Sequence, residues 1–170
     1  MAKIHIAHVL HSFATGGLEN GVVNIINNLP EGEYQHSIIS VTKHDPEFLS
    51  RIKRDNVDVY DLNKPPGRSL GWLVQCWRLF RKLRPDICHT RNLGAIEAQV
   101  SALLAGVKYR IHGEHGWDVF DVGGTNVKYQ KLRKVFKPFI HQFIALSIEA
   151  QDYLLPVSYT HLTLPTKRIV

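Results

Sequence analysis

With 170 residues, 44% of them hydrophobic and 21% charged, the chain has the size and composition of one globular domain with its own core. No apolar run approaches the roughly 20 residues of a membrane span, and the opening Lys3-Ile4-His5-Ile6 lacks the length and cleavage site of a secretory signal. The formal net charge of +6 points to anionic partners. Cys76 and Cys88, without C-x-x-C spacing, read as buried thiols in a reducing, cytosolic (cytoplasmic) compartment rather than as a disulfide or metal pair.

Residues 3–10 carry Ile4, Ile6, Val9 and Leu10 and predict a buried first strand. Gly16-Gly17 turns the chain, after which Leu18, Val22, Ile25, Ile26 and Leu29 recur at helical spacing. Strand, glycine turn and helix start place backbone N–H groups and the positive helix end where an anion can sit; an ordinary tight turn has the same pattern. Residues 34–41 predict a second strand, 46–53 a short helix and 57–62 a third strand. Leu73, Val74, Trp77, Phe80 and Leu83 then keep helical spacing up to Pro85. Residues 86–89 form a fourth strand, 93–105 a small-residue helix and 108–112 a fifth strand. A polar loop holds Gly113, Gly116, Gly123 and Gly124. Residues 127–139 are helical, kinked or ended by Pro138, and 143–146 form a sixth strand. Strands separated by helices imply an α/β fold: a Rossmann-like parallel sheet with helices on both faces and ligands at the carboxyl ends of its strands.

Glycines at 16, 17 and 21 do not fit G-x-G-x-x-G, and the second strand ends in Thr42-Lys43 rather than an acidic residue, so a nicotinamide dehydrogenase is a poor reading. Gly16 and Gly17 are candidates to hold phosphate or sugar through backbone N–H groups, with Glu19 and Asn20 as first-turn residues. Arg91, in His89-Thr90-Arg91-Asn92, can clamp a phosphate or carboxylate with two parallel hydrogen bonds, and Asn92 is read as the cap of the next helix. His112 and His115 sit among glycines rather than on a helix, so no metal is expected. His5, His8 and His11 straddle both faces of the first strand, His36, His44 and His141 are isolated, and Trp72 and Trp77 read as helix-packing residues. Arg68, Arg78, Arg81, Lys82 and Arg84 cluster in or beside one helix, and Lys128, Lys131, Arg133, Lys134 and Lys137 in another. These are either solvated faces or an electrostatic surface for anionic lipid headgroups or a phosphate-bearing acceptor. No helix-turn-helix, zinc or ribonucleoprotein motif supports nucleic acid as a partner.

Gly-Gly-Leu-Glu-Asn-Gly at 16–21, His-Thr-Arg-Asn at 89–92 and Gly-Glu-His-Gly at 113–116, within residues 3–155, resemble the N-terminal half of GT-B glycosyltransferases of family 4. The likeness is closest to the sugar transferases found with PEP-CTERM/exosortase exopolysaccharide systems. This resemblance implies a retaining transferase that moves a sugar from a nucleotide-sugar donor to a glycan or lipid-linked acceptor, with no metal or other cofactor. It implies that His115 is the catalytic residue, hydrogen-bonding the transferred sugar near its anomeric centre. Gly16 and Gly17 would contact the donor diphosphate or sugar, with Gly17, Arg91, Glu114 and His115 lining the cleft. It further implies a second, nucleotide-binding domain, residues 1–155 being the acceptor-side domain and the chain alone inactive. The charge of the basic helices separately suggests peripheral contact at the inner face of an anionic membrane. The alternative is a non-catalytic Rossmann-like binding domain that docks on anionic membrane or polyanion. Residues 156–170 resemble the in-frame translation of a sequencing adapter and are read as a non-native or disordered tail, the natural chain being expected to continue beyond residue 156.

Overall fold

Every predicted strand and helix is present in the computed structural model, which describes residues 2–67, 69–115, 125–146, 150, 151 and 154. The stretch 116–124 and the tail from residue 156 lie outside the described residues. The elements are β1 (Ile4–Leu10), α1 (Gly17–Asn28), β2 (Tyr34–Ser40), α2 (Pro46–Leu49), β3 (Val57–Asp61), α3 (Gly71–Leu83), β4 (Ile87–Arg91), α4 (Ala98–Ala105), β5 (Tyr109–Glu114), α5 (Val127–Phe136) and β6 (Gln142–Ala145). The strands form a parallel sheet in the order β3-β2-β1-β4-β5-β6. This is the doubly wound Rossmann-like arrangement, whose order reverses between β1 and β4.

Period-two alternation decides which residues meet which helices. Leu10 and Ile38 face α1 and α2, where Val22, Val23, Ile26 and Phe48 close one core with Phe13. Ala7, Val9, Ile39 and Cys88 face the opposite way, onto Trp72, Cys76 and Phe80 of α3 and Ala98 and Ala102 of α4. Phe143 and Ala145 pack with Leu93, Ile96, Tyr129, Leu132 and Phe136 beneath α5. Cys76 and Cys88 are free and fully buried, as expected from the sequence, and burial raises both thiol pKa values, which leaves them inert.

Several boundaries differ from the predicted ones. Strand β4 runs on to Arg91 and β5 to Glu114, because Thr90 pairs with His112 and Arg91 with Gly113; ladder pairing keeps polar residues in strands that an apolar pattern ends too early. Gly113 therefore belongs to β5 rather than to the loop. The helix expected over residues 93–105 is split into a 3-10 turn, Leu93–Ala95, and α4. Gly94 lies so close to His11 that a Cβ there would come within 3.0 Å of the His11 Cβ, and this close approach of the two loops sets the turn. Helix α5 ends at Phe136, followed by a 3-10 turn with Pro138 in its first turn. Trp72 is buried as expected, whereas Trp77 is 38% exposed on the outside of α3.

Candidate functional site

The crevice at a topological switch point opens because the chain leaves β1 toward one face of the sheet and leaves β4 toward the other. The loop after β1 is fixed to the loop after β2: Thr42 donates its backbone N–H to the His11 carbonyl at 2.9 Å, and Asp45 to the Phe13 carbonyl at 2.8 Å. Gly16 begins α1 in extended backbone, and the side-chain amide of Asn20 donates to the Gly16 carbonyl at 2.8 Å. A Cβ at Gly16 would collide with the Glu19 carboxylate, which is folded back over it, while Gly17 has open space in front of it. The bare backbone expected from the two glycines is therefore offered at Gly17; at Gly16 the chain's own carboxylate covers it.

Arg91, at the end of β4, is 1% exposed. Its guanidinium donates to His8 Nδ1 at 3.1 Å and to His89 Nδ1 at 3.2 Å. Accepting at Nδ1 leaves both imidazoles neutral with the proton on Nε2. His8 Nε2 then donates to His36 Nδ1 at 3.1 Å, with the two rings stacked. His36 is thus part of this row rather than isolated. Burial, then the Arg91 charge, hold His8 and His89 well below the ordinary histidine range. Burial pulls Arg91 itself down to about 9 and Glu19 opposes the shift, so Arg91 is a cation at neutral pH. Among the described residues it makes no carboxylate ion pair, and its Nε and the Nε2 of His89 have no hydrogen-bond partner. A buried cation hydrogen-bonded only to neutral imidazoles, with the Glu19 carboxylate acting on it without an ion pair, costs free energy that a bound anion would return.

His115, the first residue after β5, joins this row. A Cβ at Gly113 would lie 3.2 Å from both His89 Nε2 and His115 Nε2, so the missing side chain is what lets both imidazoles lie over the strand. The backbone N–H of His115 donates to Asn92 Oδ1 at 2.8 Å. Asn92 therefore does not cap the following turn with its side chain; it ties the end of β4 to the end of β5. Burial, then Arg91 and His112, lower the His115 pKa to about 3. A neutral imidazole can hydrogen-bond a sugar hydroxyl but supplies no proton as a general acid at neutral pH.

Glu114 corrects the predicted cleft lining. Adjacent to His115 in a strand, it points to the opposite face, is 1% exposed, and accepts from Arg133 Nε at 2.8 Å and from His112 Nε2 at 3.3 Å. Burial opposes its ionisation, but His112 and Arg133 outweigh that and hold the carboxyl down at about 2. His112 Nδ1 in turn meets Thr90 Oγ1 at 2.8 Å, and Gln99 donates to that hydroxyl at 2.7 Å. Glu114 anchors α5 to β5 and is separated from the cleft row by the sheet. The remaining histidines thought isolated are also partnered, His44 with Asp61 and His141 with Arg110. Among the described residues no group of three or more His, Cys, Asp or Glu is placed to hold a metal ion.

Of the predicted residues, the structure brings Arg91 and His115 onto one face of the sheet, leaves Gly17 open at the start of α1, and places Glu114 on the opposite face. His8, His89, Asn92 and Glu19 were not singled out as site residues. The signal that could have found His8 and His89 is a polar residue inside an otherwise apolar strand, repeated in neighbouring strands at the same register.

The sequence profile of Glycosyltransferase Family 4 matches residues 15–160. No curated protein matches the chain. Among solved structures, a glycosyltransferase from Rickettsia africae aligns with a TM-score of 0.72 at 16% identity, covering 96% of this chain and 43% of that one. UDP-GlcNAc 2-epimerase from Neisseria meningitidis, bound to UDP-GlcNAc, aligns at 0.59 and 17% identity, covering 90% and 43%. Anabaena HepE in complex with UDP aligns at 0.61 and 14% identity, covering 95% and 43%. At these identities the likeness is one of fold, and the chain spans less than half the length of each.

Proposed function

The chain belongs to glycosyltransferase family 4, and from that premise we propose that it forms the acceptor-side half of a two-domain GT-B enzyme. This enzyme transfers a sugar from a nucleotide-sugar donor to a glycan or lipid-linked acceptor, with retention of configuration and without a metal ion. The observation that carries the reading is Arg91, a buried cation at the end of β4 that makes no carboxylate ion pair among the described residues and acts on the neutral His115, with the open Gly17 at the start of α1. Developing charge on a diphosphate leaving group is what such a cation and a helix N-terminus stabilise. Nucleotide ligands in the structural neighbours, UDP-GlcNAc in one and UDP in another, support a UDP-sugar as donor class. The three sequence motifs support an exopolysaccharide acceptor, at the cytoplasmic side of a membrane with which the basic helices make peripheral contact.

In this reading Gly17, and Gly16 once the Glu19 carboxylate has moved off it, meet the diphosphate or sugar, Arg91 holds charge beneath it, and His115 hydrogen-bonds the sugar hydroxyl. Glu114 acts at a distance by fixing β5. A half-cleft does not turn over: the purified chain is expected to release no UDP from UDP-N-acetylglucosamine above the blank. Amide spectra of the labelled chain titrated with inorganic pyrophosphate are expected to shift at Gly16, Gly17, Asn92 and His115. Turnover by the chain alone would overturn the half-site assignment, and an unresponsive cleft at millimolar pyrophosphate would overturn the anion site.

A further inference from the structure

Gly16 has no need to be glycine on backbone grounds. Its φ of -173 and ψ of 164 are extended values open to any residue. What the missing side chain leaves is room, and the Glu19 carboxylate fills it: a Cβ at Gly16 would collide with Glu19 Oε2 and lie 3.1 Å from Glu19 Cδ. Glu19 is in the first turn of α1, where the helix end favours negative charge. A capping glutamate would do no more than steady that end. The Glu19 charge is also felt at Arg91. The loop after β1 leads from Leu10 to Gly16 and touches the turn after β4, where Gly94 packs on His11. Strands β1 and β4 are ladder neighbours, with His8 opposite His89. Burial lowers the Arg91 pKa and the Glu19 charge opposes the shift. Even so, the two form no ion pair, and Arg91 Nε has no hydrogen-bond partner.

One carboxylate thus offsets two electropositive elements, the start of α1 and the buried Arg91, without pairing with the cation. We propose that Glu19 guards this anion site: its carboxylate holds the place of a phosphoryl group over Gly16 and swings away when a diphosphate enters. The exchange is favourable only for an entering anion. A diphosphate carries more negative charge than the carboxylate it replaces, so the helix end and Arg91 both gain. A neutral sugar or glycan hydroxyl brings no charge to either and leaves the carboxylate in place. Glu19 therefore makes the cleft selective for the phosphate-bearing part of a ligand, and Gly16 becomes available only once that part has arrived. The movement is a small one. The carboxylate ends a flexible, half-buried side chain and has no ion pair to break among the described residues. The assignment rests on the anion site proposed above and adds to it a residue that works against binding.

The test is titration of the isotopically labelled 170-residue chain with inorganic pyrophosphate, comparing wild type with E19Q and E19D. E19Q removes the charge and is expected to bind pyrophosphate about fivefold more tightly, the upper end for one charge at an exposed helix N-terminus. E19D keeps the charge but is one methylene shorter and no longer covers Gly16; it is expected to gain about twofold. Both substitutions are conservative, and circular dichroism checks that each variant folds. In wild type the side-chain carboxyl carbon of Glu19, assigned by its absence from E19Q, is expected to shift together with the Gly16 amide. N-acetylglucosamine, a neutral sugar, is expected to move neither. A gain in E19Q with E19D binding like wild type would show a charge acting at a distance and overturn the guard. Equal affinity of all three proteins would overturn it too, as would a Glu19 carbon that stays still while the Gly16 amide shifts, or one that the neutral sugar moves. In those cases wild type still responds to pyrophosphate and the anion site stands. No response of any of the three at millimolar pyrophosphate would overturn the anion site and the guard together.

Discussion

Asn92 Oδ1 holds the backbone N–H of His115 at 2.8 Å, joining the ends of two neighbouring strands across the mouth of the cleft. Asn92 does so from φ 53 and ψ 169, a conformation that side chains other than hydrogen rarely adopt. Strain of this kind persists only where the surroundings over-determine it. Here the carboxamide fixes where β5 releases the chain, and so where the His115 imidazole stands relative to Gly113.

N92A is expected to lower stability by about 1–3 kcal/mol, from one lost hydrogen bond and the strain of a Cβ without compensation. N92G loses the same bond but relaxes the backbone and is expected to cost less. Urea denaturation of the three proteins checks the order. A glycine variant less stable than the alanine variant would show that backbone strain is not stored at this position.

Arg91 tests the cleft directly. Since its cationic side chain meets only neutral imidazoles among the described residues, R91M is expected to stay within about 1 kcal/mol of wild type or to exceed it. Pyrophosphate at ten times its dissociation constant is expected to stabilise wild type by about 1.4 kcal/mol, a few degrees in Tm. No such gain is expected for R91M. Equal stabilisation of both proteins by pyrophosphate would place the anion elsewhere.

The buried pair Glu114–Arg133 should behave as a structural clamp. E114Q and R133M are each expected to lose about 3–5 kcal/mol by leaving the partner's charge behind in the interior, and the double variant is expected to lose less than the sum. Chemical denaturation reads all three. An E114Q protein of wild-type stability whose cleft no longer responds to ligand would return Glu114 to the substrate side.

Acid should unfold this domain in two stages. Burial, with the Arg91 charge, keeps His8 and His89 neutral well below the ordinary histidine range and His115 down to about 3; burial, with Arg54, holds His36 at about 4. The unfolded chain takes up protons that these imidazoles refuse. Stability therefore falls as pH drops from about 6.5 toward 4, by up to about 1.4 kcal/mol per pH unit for each histidine. The carboxyl of Glu114, held at about 2, adds stability that is present above its ordinary value near 4.3 and is lost as pH falls toward 2. Thermal melts between pH 7 and pH 3 check this; a flat Tm from 7 to 5 would mean the histidine row is open to protons.

The apolar periodicities of residues 4–10, 17–28 and 71–83 were enough to place β1, α1 and α3, because those segments bury one face and show it in their spacing. The ends of β4 and β5 were not legible in that way. Thr90, Arg91 and Glu114 are polar and lie beyond the predicted strands, and only their ladder partners make them strand residues. Trp77 illustrates the same limit on a helix. Its spacing matches a packing position, yet the packing stops at Trp72, Cys76 and Phe80 and leaves the Trp77 ring at the surface.

By itself, then, the sequence determined the order of strands and helices, the parallel doubly wound class, the glycine turn after the first strand, and the family motifs that include Arg91 and His115. These are local facts, written in periodicity, glycine placement and adjacent residues. The tertiary structure alone decided that His8, His89 and Arg91 form one buried row, that His115 stands over Gly113, and that Glu114 belongs to the other side of the sheet. Side-chain direction along a strand alternates residue by residue, so adjacent positions are divided between two faces. Which distant residues share a face depends on the register between strands dozens of residues apart, and that register exists only once the sheet is assembled.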